Sequence, residues 1–249
     1  MIIKSNYIKP KFKKKKNSKV GLLALTTDLT IEKDFNSIFN KLPIDVFVNR
    51  IHNENPLTKE NLLKMRDQIE GITEKILPGE KINTVAYGCT SGTIAIGEDV
   101  VKKKIQLAKP DSYVTTPITS AIKAFKLMKI KKISVFTPYP ESVNETIYEY
   151  FSKRNIDVLS FGTFNLNLDS DFANIDPSYL FETLSKLDIT GADALFISCT
   201  ALPALEILDE VEKKINKPVF SSNQTLIWDT IRSTGYKMPI DGYGKLLRN

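Results

Sequence analysis

The sequence predicts an α/β fold made of two similar halves, with mostly parallel sheets related by a pseudo-twofold axis and a ligand site between them. Three observations support this prediction. Short β-branched runs alternate with longer helical patterns, which is typical of a parallel sheet with crossover helices. One strand-to-helix motif occurs twice, and the 249 residues, 42% of them hydrophobic, suffice for two small cores.

The predicted strands are short apolar runs bounded by turn or capping residues. No run reaches the roughly 18 apolar residues of a membrane span. The strands are expected at 20–28, 45–51, 83–88, 112–117, 132–138, 156–162, 192–198 and 217–222.

Two segments show the helical pattern with recognisable ends. Residues 58–77 place apolar side chains three and four positions apart, with Thr58 as the N-cap and Pro78-Gly79 as the stop. The last helix follows the final strand, with Ser222 or Asn223 as its cap and Gly235 at its end. We expect this helix to pack back on the first half.

The repeated motif reads apolar strand, small residue, Cys-Thr, helix. It occurs as TVAYGCTSGTIAIGEDVVKKKI and as DALFISCTALPALEILDEVEKKI. In each copy the cysteine, Cys89 or Cys199, lies where a strand ends and a helix is expected to begin, which is the ligand-binding edge of a parallel sheet. If the halves face each other about a pseudo-twofold axis, the two thiols lie on opposite walls of one cleft.

The predicted organisation is a basic flexible tail over 1–19, a first lobe formed by 20–118 plus 221–249, and a second lobe over 119–220. The formal charge of +6 comes from the tail, which has eight Lys and no acidic residue, whereas the remainder has 27 basic and 29 acidic residues. We therefore expect no nucleic-acid partner. Neither a secretory signal nor a membrane span is predicted, so we expect a cytoplasmic protein with reduced thiols and no membrane partner.

A helix start at each cysteine would lower the pKa of the thiol and offer N–H donors to a carboxylate. A thiolate and a thiol on opposite faces of a substrate can exchange the proton next to its carboxylate, or one can add to a double bond while the other moves the proton. No metal or cofactor is then required. The alternative is a pair of inert buried cysteines. His52 is expected at the surface, without a second histidine to form a relay.

Polar residues also follow other predicted strands, where they either cap helices or contact a ligand. The candidates for substrate binding at such positions are Asp28, Thr90, Ser91, Thr116, Tyr139, Thr200 and Asn223. Tyr139 stands between two prolines, and its phenol is suited to donate to a carboxylate or an enolate oxygen.

The segments LALTTDLTIEKDF, AYGCTSGT, TTPITSA, TPY, FISCTALP and PVFSSNQTLIW together resemble the aspartate/glutamate racemase superfamily. The similarity is greatest to its branch of maleate isomerases, arylmalonate decarboxylases and ectoine-utilisation proteins. The resemblance implies two Rossmann-like lobes with the active site between them. It also implies Cys89 as the nucleophile, Cys199 as the residue that handles the proton, and carboxylate contacts from Thr90, Ser91, Tyr139 and Thr200.

Two positions depart from what the resemblance implies. Asp28, and by the same comparison Asp169, stand where maleate isomerases tend to have Asn. A negative side chain there would repel a second substrate carboxylate, so the resemblance points away from maleate and towards the ectoine-utilisation branch, whose substrates carry an amino or amide nitrogen.

Three functions remain open from the sequence. The first is a cofactor-independent isomerase or racemase of small amino or dicarboxylic acids that uses both thiols. The second is a decarboxylase of malonate-type acids that needs Cys199 alone. The third is a non-catalytic protein that binds small carboxylates. We also expect a homo-oligomer, either a dimer or a tetramer.

Overall fold

The computed structural model describes residues 7–12 and 17–249. These residues form two four-stranded sheets in which each paired strand is parallel to its neighbour. The first sheet contains β1 (Ser18–Leu25), β2 (Ile44–Ile51), β3 (Thr84–Tyr87) and β4 (Tyr113–Thr115). The second contains β5 (Lys132–Thr137), β6 (Asp157–Thr163), β7 (Ala194–Ile197) and β8 (Val219–Ser221).

Helices lie between successive strands. The first half of the chain contains α1 (Ile31–Phe39), α2 (Lys59–Lys64), α3 (Ile69–Glu74), α4 (Thr90–Ile96), α5 (Glu98–Ala108) and α6 (Pro117–Met128). The second contains α7 (Glu141–Ser152), α8 (Asp169–Ala173), α9 (Pro177–Ser185), α10 (Leu208–Ile215) and α11 (Ser222–Ser233). Short 3-10 helices occupy Met65–Gln68, Leu205–Ile207 and Lys245–Arg248.

The two sheets share one topology. The strand order is β2-β1-β3-β4 in the first and β6-β5-β7-β8 in the second, so each strand of one lobe has a counterpart four strands later in the other. The predicted α/β fold with two similar lobes is confirmed, and all eight predicted strands form. The carboxyl ends of parallel strands meet at one edge of each sheet, and ligands bind there in open α/β sheets.

The hydrophobic pattern explains which strands are central. All residues of β3 and β7 are buried, as expected for strands that are covered on both faces. Helix α1 instead buries one stripe, formed by Ile31, Phe35, Ile38 and Phe39, at the spacing of an amphipathic helix.

Helices α6 and α11 join the two lobes. Each follows the last strand of its sheet, and the two pack against each other, with Ser120 of α6 donating to Asp229 of α11 at 2.9 Å. Phe125 of α6 also contacts the rings of Phe196 and Phe220 from the second lobe. Helix α11 packs on β3 and β4, so the end of the chain returns to the first lobe.

Several local predictions need correction. The helix expected over 58–77 is interrupted by the 3-10 turn at Met65–Gln68, although Thr58 caps it as predicted. Helix α11 is capped by Ser221, whose hydroxyl accepts from the N–H of Gln224 at 3.1 Å, and not by Ser222 or Asn223.

The tail was expected to extend to residue 19, but β1 already begins at Ser18. The side chains of Tyr7, Ile8 and Phe12 are exposed, and the tail residues 1–6 and 13–16 lie outside the described part of the chain. Among the helices that the structure describes, none has the length and apolar character needed to cross a membrane.

Candidate active site

Cys89 lies between the end of β3 and the start of α4, as the sequence predicts. It is the N-cap of α4, and its Sγ accepts a hydrogen bond from the backbone N–H of Gly92 at 3.2 Å. The Ser91 hydroxyl is 3.8 Å from the same sulfur. A Cβ at position 92 would stand 2.8 Å from the Cys89 Sγ, so the close approach of backbone and sulfur requires glycine here.

Cys199 follows β7 but does not begin a helix, so the prediction of a matching helix start is wrong. The segment after it is a turn, and α10 begins only at Leu208. Pro203 explains the difference, because a proline disfavours the helical conformation of the residue before it. The Cys199 Sγ still accepts one backbone hydrogen bond, from the N–H of Ala201 at 3.3 Å.

Side chains of the first lobe hold this turn in place. We define the Cys199 turn as residues 198–204. The Thr30 hydroxyl donates to the Ala201 carbonyl at 2.8 Å, and the Asn223 amide donates to the Thr200 carbonyl at 2.7 Å. The Thr200 hydroxyl donates to the Gly88 carbonyl at 3.3 Å, beside Cys89. The two cysteine segments are thus in direct contact across the lobe boundary.

Tyr139 lies beside the Cys199 thiol. It follows β5, its side chain is buried, and its ring packs edge-to-face on Phe172. Its hydroxyl lies within hydrogen-bonding range of the Cys199 thiol, and charge on either cysteine raises its pKa, which burial already places well above the usual value. The phenol therefore bonds Cys199, whereas Cys89 acts on it only through its charge.

Two buried carboxyl groups complete the cluster. The Oδ1 of Asp28 accepts from the backbone N–H groups of Thr30 and Ile31, at 2.8 and 2.9 Å. Asp169, from α8 of the second lobe, accepts on Oδ2 from Thr27 at 2.5 Å and from Asn53 at 2.8 Å in the first lobe. Burial raises the pKa of both carboxyls, and their hydrogen bonds only partly oppose that shift.

The thiol pKa values are opposite to the sequence-based expectation. Burial raises the pKa of Cys89 to about 12 and that of Cys199 still further, and the charges of Asp169 and Asp28 add to both increases. The N–H of Gly92 lowers the pKa of Cys89, as expected at a helix start, but desolvation is the larger effect. Exposed fractions of 3% for Cys89 and 4% for Cys199 show that the lobes are closed over the thiols.

The other predicted binding residues divide into two groups. Thr90, Ser91, Thr200 and Asn223 are buried in or beside the two cysteine segments, and the Thr90 hydroxyl bonds that of Ser222 at 2.8 Å. Thr116 instead caps α6 through Thr119 and borders a surface cavity of about 520 Å³ lined also by Lys123.

Sequence reasoning missed the side chains that support the site from a distance. Thr30 bonds the Cys199 turn, Asn53 bonds Asp169, and Asp34 bonds Asn223. In each pair the two residues are far apart in the sequence. No local pattern in the sequence predicts such contacts. Only Gly92, three residues after Cys89, could have indicated a close approach of backbone and sulfur. In the described part of the chain, no group of three or more His, Cys, Asp or Glu side chains could hold a metal ion. His52 is exposed.

The fold and these contacts define a two-lobed α/β protein with a buried pair of thiols at the lobe boundary. Residues 97–247 match the family model described as arylmalonate decarboxylase, and the chain belongs to that family. It is 23% identical to a maleate isomerase of Geobacillus stearothermophilus, over 93% of this chain and 98% of that relative. The predicted resemblance is confirmed, and the protein is an enzyme of a family that includes maleate isomerases.

Solved structures show the same fold. The maleate isomerase Iso from Pseudomonas putida S16 superposes with a TM-score of 0.87 at 19% identity, covering 94% of this chain and 99% of that one. A Nocardia farcinica maleate cis-trans isomerase superposes with a TM-score of 0.85 at 17% identity, covering 93% and 98%. The latter is a cysteine-to-serine mutant with a covalently bound succinylcysteine intermediate.

Proposed function

We propose that the protein is a cofactor-independent isomerase or racemase of small carboxylic acids, with Cys89 and Cys199 as its thiol/thiolate pair. The observation that supports this most strongly is the contact between the two cysteine segments at the lobe boundary, where the Thr200 hydroxyl, next to Cys199, donates to the Gly88 carbonyl, next to Cys89, at 3.3 Å. Two cysteines packed only as apolar side chains have no need of the buried phenol of Tyr139 or of flanking carboxyls.

In a racemisation, the thiolate of one cysteine takes the proton from the α-carbon, and the C–H electron pair passes into the carboxylate as an enediolate. The thiol of the other cysteine then gives its proton to the opposite face, so the number of protons is conserved. The hydroxyls of Thr90, Ser91 and Tyr139 are proposed to bind the carboxylate oxygens. Thr200, Asn223 and Asp28 adjoin the same region. A substrate contact from Thr116 stays part of the proposal, and Thr116 lies at the start of α6 beside the surface cavity.

A cis-trans isomerisation uses the same residues. The Cys89 thiolate adds to one carbon of a double bond while the Cys199 thiol protonates the neighbouring carbon. Rotation follows about the resulting single bond, Cys199 takes a proton back from that carbon, and the sulfur leaves to restore the double bond. The succinylcysteine adduct in the Nocardia farcinica relative supports this covalent route.

The test is exchange of the α-proton in D₂O with a panel of small amino and dicarboxylic acids. Cys89→Ser and Cys199→Ser should each abolish turnover while retaining the wild-type circular dichroism spectrum and melting temperature. Full activity in either folded variant contradicts the two-thiol mechanism.

Decarboxylation is the second candidate, because the family model that matches is the arylmalonate decarboxylase model. It requires Cys199 alone. Release of carbon dioxide from a malonate derivative by Cys89→Ser, but not by Cys199→Ser, would establish it in place of isomerisation.

We also propose a cytoplasmic homo-oligomer, dimeric or tetrameric. Light scattering of the purified protein measures the oligomeric state, and fractionation of the source cells measures the location.

A further inference from the structure

The backbone of Tyr139 lies in a bend between β5 and α7, outside any helix or strand. The residues on either side of it are Pro138 and Pro140, which have no N–H group, so the Tyr139 N–H is the single backbone donor of residues 138–140. A buried backbone segment without regular secondary structure needs hydrogen-bond partners from elsewhere. For Tyr139, these partners are side chains.

Three side chains bond the backbone of Tyr139. The Thr137 hydroxyl oxygen accepts from the Tyr139 N–H at 3.2 Å. The Tyr139 carbonyl accepts from the Asn144 amide at 3.2 Å and from the Thr163 hydroxyl at 2.5 Å. We define Thr137, Asn144 and Thr163 as the Tyr139 cradle. They come from the end of β5, from α7 and from the end of β6, so three separate elements meet at this one backbone.

One arrangement of protons satisfies every member of the cradle. The Tyr139 carbonyl can only accept, so the Asn144 side chain turns its nitrogen towards it and its oxygen towards Thr137. That oxygen lies 2.7 Å from the Thr137 hydroxyl and accepts its single proton. The Thr137 oxygen then accepts from the Tyr139 N–H through a lone pair. The N–H and the C=O of Tyr139 are therefore joined in one ring of hydrogen bonds through Thr137 and Asn144.

This ring is shielded from water, because the side chains of Thr137 and Asn144 are both buried. Hydrogen bonds in such surroundings are stronger than in water and hold their members in a defined direction. The phenol oxygen is the atom of Tyr139 farthest from the backbone, so it moves most when the backbone rotates. The direction in which the cradle holds the backbone therefore decides whether the hydroxyl reaches the Cys199 thiol.

We propose that Thr137, Asn144 and Thr163 are positioning residues, which hold the Tyr139 backbone so that its hydroxyl remains beside the Cys199 thiol. This inference rests on the proposed function, because that contact matters for catalysis only if Cys199 exchanges a proton with the substrate. A misplacement of about 1 Å can reduce turnover on the order of 100-fold, even when the changed residue is distant from the reacting atoms.

The experiment compares the rates at which iodoacetamide alkylates the two thiols of the full chain at one mildly alkaline pH, measured by mass spectrometry of the labelled peptides. Separation of the lobes exposes both thiols, so the ratio of the Cys199 rate to the Cys89 rate reports on the surroundings of Cys199. Thr137→Val replaces the hydroxyl by a methyl group of similar size. The ratio should fall about three- to tenfold, because a displaced Tyr139 hydroxyl stabilises the Cys199 thiolate less.

Thr137→Ser is the conservative variant, because it keeps the hydroxyl. It should give a ratio within about twofold of the wild-type ratio, since both hydrogen bonds of the side chain are retained. Ser134→Ala is the matched control on the same strand: Ser134 is buried, accepts from Ser160 at 2.9 Å and should leave the ratio unchanged. An unchanged or increased ratio in folded Thr137→Val overturns the proposal, and so does an equal decrease in Ser134→Ala.

A double variant supplies a readout that a merely structural role would not move. Tyr139→Phe removes the phenol oxygen through which the cradle is proposed to act. Thr137→Val should therefore lower the ratio in the wild-type background but not in the Tyr139→Phe background. Equal decreases in the two backgrounds would show that Thr137 acts on Cys199 by another route, which overturns the proposal.

Thr163→Val keeps the test decisive if Thr137→Val does not fold. Thr163 is exposed, so the substitution is well tolerated, and valine removes one of the two donors to the Tyr139 carbonyl. The ratio should fall about twofold or more, and Thr163→Ser should restore it. A wild-type ratio in Thr163→Val overturns the role of Thr163.

Alkylation and turnover separate the two proposals, because alkylation needs no substrate. A lowered ratio in Thr137→Val without α-proton exchange by the wild-type protein contradicts the proposed function alone. Turnover by the wild-type protein with an unchanged ratio in Thr137→Val contradicts the positioning role alone.

Discussion

At the scale of single residues, the Tyr139 hydroxyl is the side-chain donor that lowers the pKa of Cys199. Tyr139→Phe removes a donor that lowers the pKa of Cys199 while leaving the ring packed on Phe172. A hydrogen bond to a charged group contributes about 1.5–3 kcal/mol, so we expect α-proton exchange to fall roughly 10- to 100-fold. The pH profile of Cys199 alkylation should shift to higher pH.

Tyr150→Phe is the matched control, because it removes the same atom from another buried tyrosine. The Tyr150 hydroxyl donates to Glu98 at 2.6 Å and contributes to neither cysteine's pKa shift. It should leave the pH midpoint of Cys199 alkylation in place, even if loss of the Glu98 contact increases the rate at every pH. Equal shifts in the two variants would contradict a specific contact between Tyr139 and Cys199.

The raised pKa of Asp34 predicts that the stability of the protein depends on pH. Burial raises its pKa from 3.8 to about 8, against the opposing hydrogen bond from Asn223. Between these values the folded protein holds a proton that the unfolded chain has released, so the free energy of unfolding falls as pH rises from about 4 to about 8. Asp34→Asn should flatten that decline, as measured by urea unfolding at a series of pH values.

The pKa values of Asp28 and Asp169 are also raised, but both residues are present in the wild-type protein and in Asp34→Asn. The difference between the stability curves of these two proteins therefore isolates the contribution of Asp34. Asp45→Asn, an exposed aspartate on β2, serves as the control and should follow the wild-type curve. A parallel curve for Asp34→Asn would show that its carboxyl is ionised throughout.

At the scale of secondary-structure elements, the sequence predicted those features that depend on local patterns. Alternation of strands and helices set the fold class, and the Cys-Thr repeat located both thiols. The repeat gave a wrong prediction at Cys199, because Pro203 disfavours the helix start that was expected there and a turn forms instead. Neither the pKa of the thiols nor the partners of Asp169 was predictable, because both depend on burial and on contacts between residues more than 100 positions apart.

The Cys199 turn should be loosened by changes in the first lobe. Thr30→Val removes the hydrogen bond to the Ala201 carbonyl and leaves that buried oxygen unpaired, which costs about 1–3 kcal/mol. We expect Cys199 to be alkylated faster relative to Cys89, as measured by mass spectrometry of the labelled peptides.

Thr115→Val provides the comparison. The Thr115 hydroxyl is also buried but bonds Thr230 within the first lobe at 2.9 Å. Its loss should reduce stability without changing the ratio of Cys199 to Cys89 labelling. If the two variants give the same ratio, the first lobe does not hold the turn.

At the scale of the whole molecule, closure of the lobes controls access to the thiols. Asp169 bonds Thr27 and Asn53 across the boundary on one side. A second contact joins α5 to the end of α7, where Glu98 accepts from Arg154 at 3.0 Å and from Tyr150. The Arg154 guanidinium also lies over the Tyr150 ring, 3.5 Å from its centroid.

Glu98→Gln should therefore open the boundary without altering the cluster around the thiols. The lost ion pair is half-buried and contributes up to about 1 kcal/mol, so alkylation of both cysteines should accelerate about two- to fivefold, measured as loss of free thiol over time. Glu149→Gln is the control, because Glu149 of α7 pairs with Lys153, the residue that caps the end of the same helix, and joins no lobes. Acceleration at Cys199 alone would mean that the turn opens locally, whereas equal acceleration at both thiols is the signature of lobes that separate as units.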